Sequence, residues 1–244
     1  MTDRVPTMTP EQLLFTDPAG NRTSLEDLID DGPFPERIPG LVELLSDPDP
    51  RLQLYAARAL VSWGVPEGFD RLAAWAAEPD RVPWAGDPVD VDRLHGVDAA
   101  FERMADAVRA SLYLDETPEL RARQVSATRA LLGLYDRKYF GRTLMVVAAS
   151  AHLRDACADA TVAAAEAAVR RSTSPPEPFD LPVQAASLLT VVVAIDEDRA
   201  VGLAQELLRA HPQHSRLARE VIDSIAHGTG AAARAFVESR RSVR

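Results

Sequence analysis

The sequence predicts an all-α fold, a right-handed α-solenoid of about five helix pairs closed by an N-terminal cap. Three observations predict it. Apolar residues recur at spacings of three and four along most of the chain, and convincing period-two alternation is missing. Alanine is common while aromatic residues make up only 6% of 244, which suits closely packed helices better than sheets. Helix pairs start near residues 35, 98, 137, 180 and 215, a spacing of about 35–43 residues after a longer first interval, near the repeat length of known helical arrays.

Residues 1–34 read as a partly ordered cap, in which Thr23 and Glu26 have capping-box spacing ahead of Leu25, Leu28 and Ile29. The repeat domain covers 35–244. Ile38, Leu41, Leu44 and Leu45 form its first stripe. Asp49 then caps a helix with Pro50 in its first turn, where the missing N–H costs nothing. Leu52, Tyr55, Ala56, Ala59, Leu60 and Trp63 follow on one face, and Gly64-Val65-Pro66 ends the helix before a partner striped by Phe69, Leu72, Ala73 and Ala76. A loop at 79–97 interrupts the pattern.

Phe101 to Leu112 resumes it, and a Thr117-Pro118-Glu119 start leads to a stripe ending at Leu134 and Tyr135. Phe140 to Ala151 gives the next helix, and Leu153 to Ala167, through Cys157, one long alanine-rich helix. Ser172 to Phe179, with Pro175-Pro176, is a loop. Leu181 to Ile195 is apolar almost all round and reads as a buried helix. Stripes through Val201 and Leu208, Leu217 and Ile225, and Ala232 and Phe236 close the series.

Asp49-Pro50-Arg51 through Ala56-Ala57-Arg58-Ala59-Leu60, a glycine turn and a second helix resemble a HEAT repeat. The motif match covers about residues 35–78; elsewhere the resemblance is to the architecture. It implies stacked hairpins with a broad face for a partner, and says little about activity.

The formal net charge is −10, unevenly spread: residues 1–100 hold 19 Asp and Glu against 8 Arg, the remainder 18 against 19 Arg and Lys. The acidic part repels nucleic acid and steers a basic partner. Basic side chains other than Lys138 are all arginine, as GC-rich coding produces. The single cysteine, Cys157, excludes an internal disulfide and lies on an apolar stripe as a small core residue. Residues 1–10 are polar and no apolar run reaches the roughly 20 residues of a membrane helix, so a cytosolic protein is expected.

Chemistry-bearing motifs are few. His211 and His214 have a two-ligand spacing without a carboxylate or cysteine alongside, which is weak for a metal; His95, His152 and His227 stand apart. The His-Glu pairs of di-iron HEAT enzymes, nucleotide-binding glycine motifs and GxSxG are missing. No cofactor is expected. The 79–97 loop places Asp80, Asp87, Asp90 and Asp92 around Trp84. Trp84 with Asp87, Asp90 and Asp92 forms a candidate partner-binding patch, aromatic and charged as hot spots are; alternatively Trp84 tucks back and anchors the loop.

Arg121, Arg123, Arg129, Arg137, Lys138 and Arg142, interleaved with Tyr135 and Tyr139, could hold phosphates along a concave face or could be a solvated face paired with carboxylates. Arg234, Arg240, Arg241 and Arg244 form a second basic cluster. The leading expectation is a non-catalytic scaffold binding another protein with a basic surface, for instance an immunity or antagonist protein masking a basic toxin. The alternative is a HEAT-like DNA-binding enzyme such as an alkyl-base glycosylase; chromophore lyases of similar fold find no local support.

Overall fold

A computed structural model describes residues 8–93, 96–174 and 177–241. His95, Pro175, Pro176, Arg244 and the side chain of Arg241 lie outside the described residues. The described residues form thirteen α-helices, one 3-10 turn and no strand.

Three short helices come first: α1 (Pro10–Phe15), α2 (Leu25–Asp31) and, after a 3-10 turn at Pro35–Arg37, α3 (Ile38–Leu44). All three contact α4 (Pro50–Ser62). Thr9 caps α1 through a reciprocal capping box with Gln12. The cap of α2 is Ser24 rather than Thr23: its hydroxyl accepts the Asp27 N–H at 3.0 Å and donates to the Asp27 carboxylate at 2.7 Å. Arg37 is buried and donates to the carbonyls of Gln12 and Leu13 at 3.0 and 3.1 Å, tying the end of α1 to α3.

Four hairpins and one further pair of successive helices follow. Helix α4 pairs with α5 (Pro66–Ala77), α6 (Ala100–Ser111) with α7 (Pro118–Leu132), and α8 (Thr143–Ala149) is followed by α9 (Ala158–Arg171). Then α10 (Leu181–Ile195) pairs with α11 (Glu197–Ala210), and α12 (Ser215–Ile225) with α13 (Ala231–Arg241). The contacts sort these into two rows. Helices α4, α6, α8, α10 and α12 touch in succession, as do α5, α7, α9, α11 and α13. Each hairpin therefore buries its apolar stripe against its neighbours.

Local chemistry explains the boundaries. Asp49 accepts the Arg51 N–H at 2.9 Å, Thr117 the Leu120 N–H at 3.1 Å, and proline stands in the first turn of both helices. Gly64 turns the first hairpin at φ +74°, which a side chain would strain. A Cβ there would also press on Leu114 at 3.0 Å.

Three expectations change. The first hairpin starts at Pro50 rather than near 35, because Ile38–Leu44 is a separate helix against α4. The stripe from Leu153 is not one helix: residues 151–157 are turns and α9 begins at Ala158. Leu153 and Cys157 are fully buried all the same, so turn residues can carry an apolar stripe. Leu134 and Tyr135 likewise lie beyond the end of α7.

Candidate functional site

The first row of helices lines two open polar clefts, one beside α2, α4 and α6 and the other beside α10 and α12. The loop after α5 builds one wall of the first cleft. Trp84 is 2% exposed, with its ring 4.8 Å from Trp75 and 6.2 Å from Phe101. That burial corrects the expected hot spot: Trp84 is the anchor of its loop. Beyond it the chain doubles back, with Asp92 N–H donating to Val97 O at 2.9 Å and Ala99 N–H to Asp90 O at 2.9 Å. These bonds fix Asp90 and Asp92 on the cleft wall; Asp87 is exposed elsewhere on the loop.

The first cleft encloses about 670 Å³ between α2, α4, the loop and α6. Arg58 on α4 donates to Glu26 on α2 at 3.1 Å, and Arg103 on α6 sits 3.4 Å from Asp90. Burial raises the Glu26 carboxyl, but the Arg58 hydrogen bond and the charges of Arg58 and Arg103 hold it below its ordinary value. Phe15 and Tyr55, edge to face at 6.0 Å, supply an apolar side.

Glu102 stands between the two clefts, beside Gly141 of the second and next in the chain to Arg103 of the first. Its carboxylate accepts from Thr143 Oγ1 at 3.1 Å. Burial pushes that carboxyl above its ordinary value, opposed by Arg103 and Thr143. The Tyr139 phenol beside it is also pushed up, by burial first and then by Glu102 and Asp92. Gly141, at φ +52°, keeps the neighbourhood open, since a Cβ would stand 3.2 Å from both Glu102 Oε1 and Tyr139 Oη.

The second cleft, about 370 Å³, lies between the turn before α8, α10 and α12. Arg142 pairs with Glu220 across it, and Arg216, Asp180 and Ser187 line it. Its floor is a buried network around Gln184, whose amide donates to the carbonyls of Tyr135 and Lys138 at 2.8 and 3.0 Å. The same side chain accepts the Phe140 N–H at 2.8 Å, while the Tyr135 hydroxyl donates to Gln184 O at 2.8 Å. The turn before α8 is thereby fixed to α10 by bonds whose polar ends are all used.

The basic cluster does not converge on these clefts. Arg121 binds Glu116 at 2.6 Å, Arg123 binds Asp70 at 3.0 Å and Arg129 pairs with Asp159, all from α7 in the second row. Arg137 lies 3.8 Å from Asp136 and Lys138 3.5 Å from Asp80. Only Arg142 lines a cleft, and Tyr135 is fully buried. The paired face, rather than a phosphate track, describes these residues.

His211 meets Ser172 Oγ at 3.2 Å, whereas His214 meets Asp180 at 3.2 Å and caps α12 by accepting the Leu217 N–H. Among the described residues no group of three His, Cys, Asp or Glu gathers as for a metal. Burial pushes the Cys157 thiol up, against Arg129. No described helix is long and apolar enough to cross a membrane.

Glu102, Arg103, Arg216 and Glu220 were not singled out by the sequence, and Glu26 and Arg58 entered only as a capping-box position and a repeat-motif position. Arg58 falls off the stripe of Leu52, Tyr55, Ala56, Ala59, Leu60 and Trp63 by helical spacing, so nothing local announced its burial. Comparison of the chain with protein-family models, curated proteins and solved structures returned no match.

Proposed function

We propose that this chain is a HEAT-like right-handed helical solenoid, capped by α1 to α3, that acts as a non-catalytic scaffold for another protein. The partner presents a basic surface and lies along the first row. The observation that carries the reading is that two open clefts lie along one row of successive helices, with the Thr143–Glu102 contact between them. An elongated, open surface suits a macromolecule better than a small substrate.

Charge supports the basic partner. The first 100 residues hold 19 acidic against 8 basic side chains, and Asp90, Asp92 and Glu102 stand in or beside the first cleft. The arginines that a nucleic-acid reading would need are spent on local carboxylates. An antagonist that masks a basic toxin or nucleic-acid-binding protein is one form such a scaffold takes.

The test is affinity capture on the immobilised full chain at low and high salt, with Asp87→Asn, Asp92→Asn and Glu102→Gln combined in one variant. A retained basic protein, released by salt and lost in a variant of unchanged helical circular dichroism, is the expected result. Retention that ignores the three substitutions removes the assignment. A duplex-DNA gel shift at low salt that disappears in Arg121→Ala/Arg123→Ala would favour the nucleic-acid alternative instead.

A further inference from the structure

Arg58 is the one charged residue lining the first cleft that counts among the described buried residues. Its neighbours Ala56, Ala57, Ala59 and Leu60 are fully buried. The Arg58 side chain is 6% exposed, whereas the Glu26 side chain it holds is 67% exposed. The Arg58 guanidinium has no nitrogen among the buried atoms that lack a partner, so its remaining donors stay open to the cleft. It offers five N–H groups in a rigid fork that fits a carboxylate through two parallel bonds. Among the described residues one bond reaches it, Nη2 to Glu26 Oε1 at 3.1 Å.

The rest of the cleft fits a ligand of defined type. Arg58, Arg93 and Arg103 all line it. The Phe15–Tyr55 pair and Val91, which is 44% exposed, offer apolar contact. Its volume of about 670 Å³ lies within the range of small-molecule sites. Glu26, Asp90 and Asp92 line the same space and oppose a doubly charged anion.

We propose that the first cleft binds the carboxylate of an organic acid with an apolar or aromatic body, Arg58 gripping the carboxylate with its fork. Glu26 competes for the same guanidinium and moves into water when the acid arrives, a short step for a side chain already two-thirds exposed. The inference is independent of the protein-binding reading and holds for a chain that captures no protein. The carboxylate comes either from a free acid or from the C-terminal residue of a polypeptide.

The experiment is calorimetric titration of the full chain with phenylacetate, as the free acid, and N-acetylphenylalanine, as a chain terminus, each beside its amide. One or both carboxylates should bind and neither amide should; the tighter of the two names the source. Glu26→Gln removes the internal competitor and should tighten binding about tenfold, the worth of one charge-assisted bond. Arg103→Gln should weaken it a few-fold, and Arg58→Lys, which keeps the charge without the fork, should abolish it. Glu26 and Arg103 are both partly exposed, so their variants test the idea even where Arg58→Lys does not fold. Absence of binding in both wild type and Glu26→Gln overturns the proposal, as does an affinity that Glu26→Gln leaves unchanged. Inorganic phosphate binding as tightly as phenylacetate would overturn it too.

Discussion

The two clefts are built on the same ion pair in opposite senses. In the first, the guanidinium is buried and the carboxylate is exposed, 6% for Arg58 against 67% for Glu26. In the second, the carboxylate is the sheltered member, 13% for Glu220 against 65% for Arg142. The sheltered ion has given up its hydration and depends on a partner, while the exposed one can return to water at little cost. An ion pair's contact distance thus says less about a site than the question of which member is held.

The largest effect that separates the clefts comes from Trp84. Trp84→Ala should cost about 3–5 kcal/mol, because the ring fills the space between Trp75 and Phe101 beneath the wall of the first cleft. Amide exchange should rise around residues 82–99 and stay unchanged in α10 and α12. A spread of exchange into the second cleft would show that the two ends are not separable. Gln184→Leu is the matching perturbation of the second cleft. It should cost about 2–4 kcal/mol in denaturant unfolding, since the Phe140 N–H and two carbonyls lose their partner.

The inverted pairs give smaller, signed effects. Removing the exposed member strands a sheltered charge, so Glu26→Gln and Arg142→Gln should each cost about 1–2 kcal/mol. Glu220→Gln leaves only an exposed guanidinium and should cost about 0.5 kcal/mol. Equal costs for Arg142→Gln and Glu220→Gln would contradict the asymmetry.

Glu102, between the clefts, should move stability the other way. Its carboxyl is raised in the folded chain by burial, so the native state holds its proton more tightly than the unfolded chain does. Stability then falls as pH rises from the ordinary glutamate value of 4.5 through the raised one. Glu102→Gln should remove that fall and leave the variant more stable at neutral pH, by less than about 1 kcal/mol because the group is partly solvated. Melting curves across that window check it.

The helices were legible where the chain punctuates itself. Asp49-Pro50 and Thr117-Pro118 announce their helices because a side-chain acceptor and a pre-set φ act locally. The break at 151–157 was not legible, since Leu153 and Cys157 are buried with helix-like spacing in a stretch of turns. Trp84 could be read either way, as its fate depends on Trp75 and Phe101 across a loop. The clefts themselves were hidden. Glu26 and Arg58 come from different helices, as do Glu102 and Thr143 or Arg142 and Glu220, and no local spacing joins them. Asp90 and Asp92, which line the first cleft, drew attention because the loop that carries them breaks a regular pattern.

Helix α13 is fastened by a carboxylate lent from the hairpin before it. Glu197 accepts the N–H groups of Gly230 and Ala233 at 2.7 and 3.0 Å, bonds that hold its carboxyl below its ordinary value. A lowered value means the tether is in force at neutral pH and slips as acid passes below 4.5 and protonates it. Gentle acidification should therefore peel α13 away first, like the loose corner of a label, with the Gly230 and Ala233 amides exchanging before those of α10.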